Sequence, residues 1–155
     1  MLVSTASKII EKDKKVLQNF NKFVESSLTD SRFNGNFNLG AIKQENIKRL
    51  KKIKNDKGQI TEFNLNGYTL KIDSNHIRHI KNSHPNDLDL LNNLYDIYHN
   101  FDTAQWNLTR DESTKKPIIA ISFLKEYKDG IAKAVEVRIA ENKTLNLKTL
   151  YRIEK

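Results

Sequence analysis

The sequence predicts an α+β fold in which N-terminal helices pack on a twisted antiparallel β-sheet. Two observations carry this: apolar residues recur at helical spacing before Gly58, and four strand-like segments follow one another after residue 102. A chain of 155 residues is one domain, or one domain with an appendage, and can bury a real core. The division is placed at Gly58. Residues 1–57 form a helical N-terminal segment, a long amphipathic helix plus a basic helix, and residues 58–155 form the α+β domain.

Ile9, Val16, Phe20, Val24 and Leu28 repeat at intervals of three, four and seven, which predicts one helix over residues 3–28. An Asn- and Gly-rich loop is expected from Thr29 to Gly40. A second helix is predicted from Ala41 to about Asn55, seamed by Ile42, Ile47, Leu50 and Ile53. Lys43, Lys48, Arg49, Lys51, Lys52 and Lys54 cover its other faces, as a solvated surface or as one that guides RNA or touches a membrane.

Residues 60–65 and 68–72 alternate and flank Asn66-Gly67, the strongest short hairpin signal. A short helix follows at Ser74–His84, capped by Asp73 or Ser74 and stopped by Pro85. Leu88, Leu91, Tyr95 and Tyr98 predict another over residues 87–100. Strands are expected at 103–108, 117–125, 131–140 and 144–153, with turns at Asp129-Gly130 and Glu141-Asn142.

The net charge of +8 is the footprint of a protein that meets a polyanion, although basic surfaces also arise without one. The absence of cysteine removes disulfides and thiolate metal sites. No apolar run approaches the ~20 residues of a membrane-spanning segment.

Three of the four histidines fall between His76 and His84. Imidazole is the side chain best suited to moving protons near neutral pH, so this is where chemistry is expected. His76 and His79 share a helix face, with Arg78 about a quarter-turn away and Ile77 and Ile80 as the buried edge. His84 emerges at the helix end. His99, at the end of the next helix, reads as a partner of that helix's dipole. In the strands, alternation puts Arg138 with Ala134 and Glu136. It also puts Leu145, Leu147, Thr149 and Tyr151 on one face, and Asn146, Lys148, Leu150 and Arg152 on the other. Arg138 and Lys148 then form either a phosphate site or an exposed polar surface, the reading the strands alone favour.

Several segments together resemble one family. They are Phe37-Asn38-Leu39-Gly40 with the helix after it, Asn66-Gly67-Tyr68, His76-Ile77-Arg78-His79 through His84, Val135-Glu136-Val137-Arg138, and Leu145 through Tyr151. The family is the phage-associated branch of the barnase–EndoU–colicin–RelE-like nucleases, found at the ends of phage head-associated proteins and of polymorphic toxins. The resemblance spans residues 37–155. It implies a compact sheet with N-terminal helices and metal-independent RNA cleavage, with no cofactor. His79, His84, Arg138, Lys148, Thr149 and Tyr151 match best as catalytic residues. Beside the resemblance, His76 and Arg78 are candidate additional catalytic residues, and Lys81 and Arg152 candidate substrate-binding cations. The resemblance further implies an RNA substrate such as tRNA and a cognate acidic immunity protein. The expected setting is the C-terminal part of an exported or injected protein of bacterial or phage origin, acting in a target-cell cytoplasm.

Chemistry is consistent with this. If the 2′-hydroxyl attacks phosphorus, cleavage needs a base, an acid and cations around the phosphorane, but no metal. Histidines supply the first two, His79 as base and His84 as acid or in the reverse order, which the sequence does not fix. Arg138 and Lys148 supply the third, with Thr149 or Tyr151 bonding a phosphate oxygen. Three other readings stand beside it. In a metal-dependent nuclease or zinc-stabilised module, His76 and His79 would be ligands, completed by Asp73, Asp87 or Asp89. A non-catalytic RNA- or DNA-binding domain would stack bases on Trp106, Tyr127 or Tyr151. A phage head-associated module would keep the fold without the activity.

Overall fold

The strands predicted after residue 102 form the meander expected of them. In a computed structural model that describes residues 2–83, 85–111, 113–128, 131–140 and 142–154, β5 (Thr103–Arg110), β6 (Pro117–Glu126), β7 (Ile131–Ala140) and β8 (Thr144–Glu154) pair antiparallel in sequence order. Asp129, Gly130 and Glu141, assigned to turns, lie outside the described residues.

The other edge of this sheet departs from expectation. The segment taken for a polar loop contains β1 (Asn36–Ala41), and β4 (Thr69–Asp73) pairs antiparallel with β1 and parallel with β8. The sheet order is β1-β4-β8-β7-β6-β5, so it is mixed. The Asn66-Gly67 turn forms, with Gly67 at φ +82° and the Tyr68 N–H donating to the Leu65 carbonyl at 3.1 Å. It joins no hairpin, because both edges of β4 are taken. β3 (Ile60–Glu62) instead pairs with β2 (Lys52–Lys54) across Gly58. The predicted basic helix therefore ends early, as α2 (Gln44–Leu50). Its Arg49 lies 4.1 Å over the Phe101 ring and donates to the Asp102 carbonyl, so this cation is spent on packing.

The remaining helices follow the pattern. α1 (Leu2–Thr29) is the long amphipathic helix, α3 (Ser74–Ser83) the histidine helix and α4 (Leu94–Asn100) the last, preceded by a 3₁₀ segment at Pro85–Asn93. Phe20 and Phe23 of α1 are buried and pack on Phe37 of β1 at centroid distances of 5.3 and 5.5 Å. The second half of this helix thus covers the core.

Register separates the two faces of the sheet. Paired residues point the same way, and Leu147, Val137, Ile121 and Trp106 make one row across β8, β7, β6 and β5, all at most 8% exposed. With Ile72, Ile77, Leu94, Ile97 and Tyr98 they build the helix-side core. One register step away, a single row crosses all six strands: Asn38, Lys71, Asn146, Arg138, Ala120 and Asn107. All but Ala120 are polar, and they face away from the helices.

Among the described residues, no helix is long and apolar enough to cross a membrane.

Candidate functional site

The polar row becomes a site where β8 breaks step. Glu136 pairs with Thr149 but Val137 pairs with Leu147, so Lys148 is an extra residue, a β-bulge. The bulge exchanges the faces beyond it. Leu145, Leu147 and Leu150 are all buried, whereas Asn146 and Tyr151 are exposed and Thr149 is half-buried. Simple alternation put Leu150 opposite Leu145 and Leu147, and Thr149 and Tyr151 beside them; the bulge reverses both. It brings Thr149 and Tyr151 to the open face with Asn146 and Arg138, and sends Arg152 to the helix side.

Lys148 also shows how the open face is shaped. Its Nζ donates to Oγ1 of Thr109 on β5, although β7 and β6 intervene. Strands about 4.8 Å apart would place β5 some ~14 Å from β8 in a flat sheet, beyond a lysine's reach. The sheet is therefore curled, and its helix-free face is concave. Ala120, midway along the crossing, is 0% exposed despite facing away from the helices, as expected if the long side chains lie over it.

The histidine helix leaves the end of β4 and sets part of its polar edge beside this hollow. Asp73 ends β4 and caps α3, its Oδ1 accepting the Asn75 N–H at 2.7 Å. Ile77 and Ile80 are buried, which turns His76 and His79 outward along the opposite edge. The result is a cleft of roughly 540 Å³ with Asn75, His76 and His79 on one wall. Arg138, Asn146, Lys148 and Thr149 stand on the other. Arg138 is half-buried, and its Nε is buried with no hydrogen-bond partner among the described residues. Just beyond β5, Asp111 feels Arg138. Its carboxyl is held below the usual range chiefly by hydrogen bonds from the Ser113 hydroxyl and the Thr114 and Ser113 N–H groups, with Arg138 a smaller contributor.

Of the residues read from the sequence, His76, His79, Arg138, Lys148 and Thr149 thus line one cleft. Tyr151 is on the same face, 37% exposed, but outside the cleft wall. His84 lies outside the described residues. Arg78 points the other way, donating to the Ser27 carbonyl of α1 at 3.2 Å and to the Asn75 side chain. Arg152 pairs with Asp89 and donates to the Asn86 carbonyl at 2.8 Å, tying β8 to the 3₁₀ segment. Lys81 is exposed late in α3, outside the cleft wall. His99 is 5% exposed, packed against Tyr95 and Tyr98, and its Nε2–H donates to the Leu39 carbonyl at 3.1 Å. It pins α4 to β1 rather than serving the helix end. Asn75 and Thr109 carry no signal in the sequence, and Asn146 shows only its shared face with Lys148, because an asparagine or threonine in an Asn-rich chain gives no signal without its neighbours.

Two of the three stacking platforms of a non-catalytic binder are engaged within the fold, while Tyr151 stands on the open face. Trp106 is buried, its Nε1 donating to the Gln59 carbonyl at 3.0 Å, and the Tyr127 hydroxyl donates to Asp96 at 2.7 Å. Among the described residues, no three His, Asp or Glu side chains converge as a metal site would require.

The family model described as phage-Barnase-EndoU-ColicinE5/D-RelE like nuclease3 matches residues 48–155, which include every residue of the cleft wall. No curated protein and no solved structure matches.

Proposed function

Because the chain belongs to the phage-Barnase-EndoU-ColicinE5/D-RelE like nuclease family, we propose that its concave cleft cleaves RNA by metal-independent transphosphorylation. The observation that supports this is the meeting of His76 and His79 with Arg138, Lys148 and Thr149 across one cleft. A histidine base, assigned to His79, takes the 2′-hydroxyl proton. The 2′-oxygen attacks phosphorus, and the bond to the 5′-oxygen breaks to leave a 2′,3′-cyclic phosphate. The departing oxygen takes a proton from a second histidine, assigned from the sequence to His84; His76 stands beside His79 on the cleft wall. Arg138 and Lys148 offset the charge that grows on the non-bridging oxygens, and Thr149 can donate to one of them.

Incubating the protein with total RNA in EDTA tests this. Discrete fragments ending in 2′,3′-cyclic phosphate are expected. Intact RNA of retarded mobility would make the protein a binder, and cleavage restored only by a divalent ion would make it a metal-dependent nuclease.

We further propose that the activity serves as an antibacterial toxin, carried at the end of an exported or injected protein of bacterial or phage origin and released into a target cytoplasm, with tRNA a candidate substrate. Such an enzyme endangers its producer, and a cationic cleft is most simply blocked by an acidic immunity protein seated over His79, Arg138 and Lys148. Growth rescue by co-expression of a neighbouring acidic protein is the expected result. Rescue that survives reversal of that protein's acidic surface would refute the electrostatic account.

A further inference from the structure

The cleft does not end at the histidines. A second compartment of roughly 440 Å³ shares Asn75, His76, Asn146 and Leu147 with it and continues over β4 and β1, where Asn36, Lys71 and Asp73 complete its wall. Resting on the ribonuclease reading, we propose that this compartment is the subsite for a nucleobase beside the scissile phosphate, and that it selects bases bearing an exocyclic amino group over uracil.

The two compartments differ in chemistry. Around Arg138 and Lys148 the groups are cationic and suit phosphate. Here a carboxylate stands among three carboxamides. Asp73 repels a phosphate but accepts from N–H donors, and carboxamides both donate and accept, the inventory needed to read a base edge. Asp73 gives one oxygen to the Asn75 N–H at 2.7 Å, leaving the other for a ligand. Asn36 pairs in register with Asp73 on β1 and is exposed, as are Asn75 and Asn146. Lys71 pairs in register with Asn146, which puts one cation at the rim for the next phosphate. Guanine, adenine and cytosine each present an amino group to the carboxylate; uracil presents none and sets a carbonyl in its place.

Sequencing the ends of fragments cut from a randomised single-stranded RNA in EDTA tests this with the full-length protein. The wild type should disfavour uracil about tenfold at one position flanking the cut. Asp73→Asn preserves the helix cap, since asparagine caps as well as aspartate, and should reduce that bias severalfold. Asn36→Ala, at an exposed position, should weaken it without unfolding the chain. Cleavage with the flanking bias unchanged in both variants would overturn the subsite alone. Absence of any cleavage by the wild type would overturn the ribonuclease reading and the subsite with it.

Discussion

Arg138→Met separates the stability of this protein from its activity. The arginine is half-buried on the open face, and its Nε is buried with no hydrogen-bond partner among the described residues. A buried donor without an acceptor costs about 1–3 kcal/mol, and partial exposure puts Arg138 near the lower end. Methionine keeps an aliphatic stem beside Ala120, its register partner, and deletes the unpaired donor. The variant should therefore gain ~1 kcal/mol, a rise in Tm of about 2–4 °C for a chain of this size. Cleavage should fall by about 10²–10³-fold, the usual loss when one preorganised donor to a developing charge is removed. Calorimetry and a fluorogenic RNA assay on one preparation give both numbers. A Tm several degrees lower would mean that the guanidinium is a structural cation, and retained cleavage would remove it from the site.

The other expectations can be read on the same preparations. His76→Ala and His79→Ala should keep their Tm, since both side chains look into the cleft, and at least one should lose about 10²–10⁴-fold in rate; full activity in both would end the histidine mechanism at this wall. His99→Ala should instead destabilise by about 2–4 kcal/mol, because it opens a cavity and orphans the Leu39 carbonyl, and an unchanged Tm would refute that role. Deleting Lys148 should leave a folded but inactive protein, because Leu147, Thr149 and Leu150 then alternate regularly against Val137, Val135 and their neighbours; unfolding would show that the bulge is needed for the sheet itself. Tyr127 is pushed above its ordinary value near 10 by burial and by its bond to Asp96, and Tyr98 by burial. The folded state thus favours the protonated phenols, and stability should hold below pH ~10 and fall above it. Tyr127→Phe should flatten part of that fall in urea midpoints measured across alkaline pH, and an identical slope would discount the tyrosine.

What could be read in the sequence was whatever local periodicity decides. The meander, the long first helix and the histidine helix follow from spacing and caps alone. β1 was hidden by composition: Phe37 and Leu39 do alternate with Asn36 and Asn38, but an edge strand whose outer face lines a groove carries the asparagines and glycine of a loop. The Asn66-Gly67 signal fixed a turn and not the partners of its flanking strands, since pairing is settled by what else competes for β4. Ile53 falls three residues after Leu50, so its place in a strand imitates a helical seam. Within the site, the histidine wall was legible because residues clustered in sequence stay clustered in space. The other wall was legible in its members but not in its geometry, because one extra residue in β8 inverts every facing assignment after it.

The parallel pairing of β4 with β8 has a consequence in time. β8 stands between β4 and β7, so until it arrives the β1-β4 pair and the β5-β6-β7 meander are two unjoined sheets, and Asn146, Lys148 and Thr149 are absent from the cleft. A ribosome delivers this strand after all the others. Until β8 has been made, the chain therefore lacks the second wall of the cleft, and that wall is completed only when this strand inserts between the two sheets.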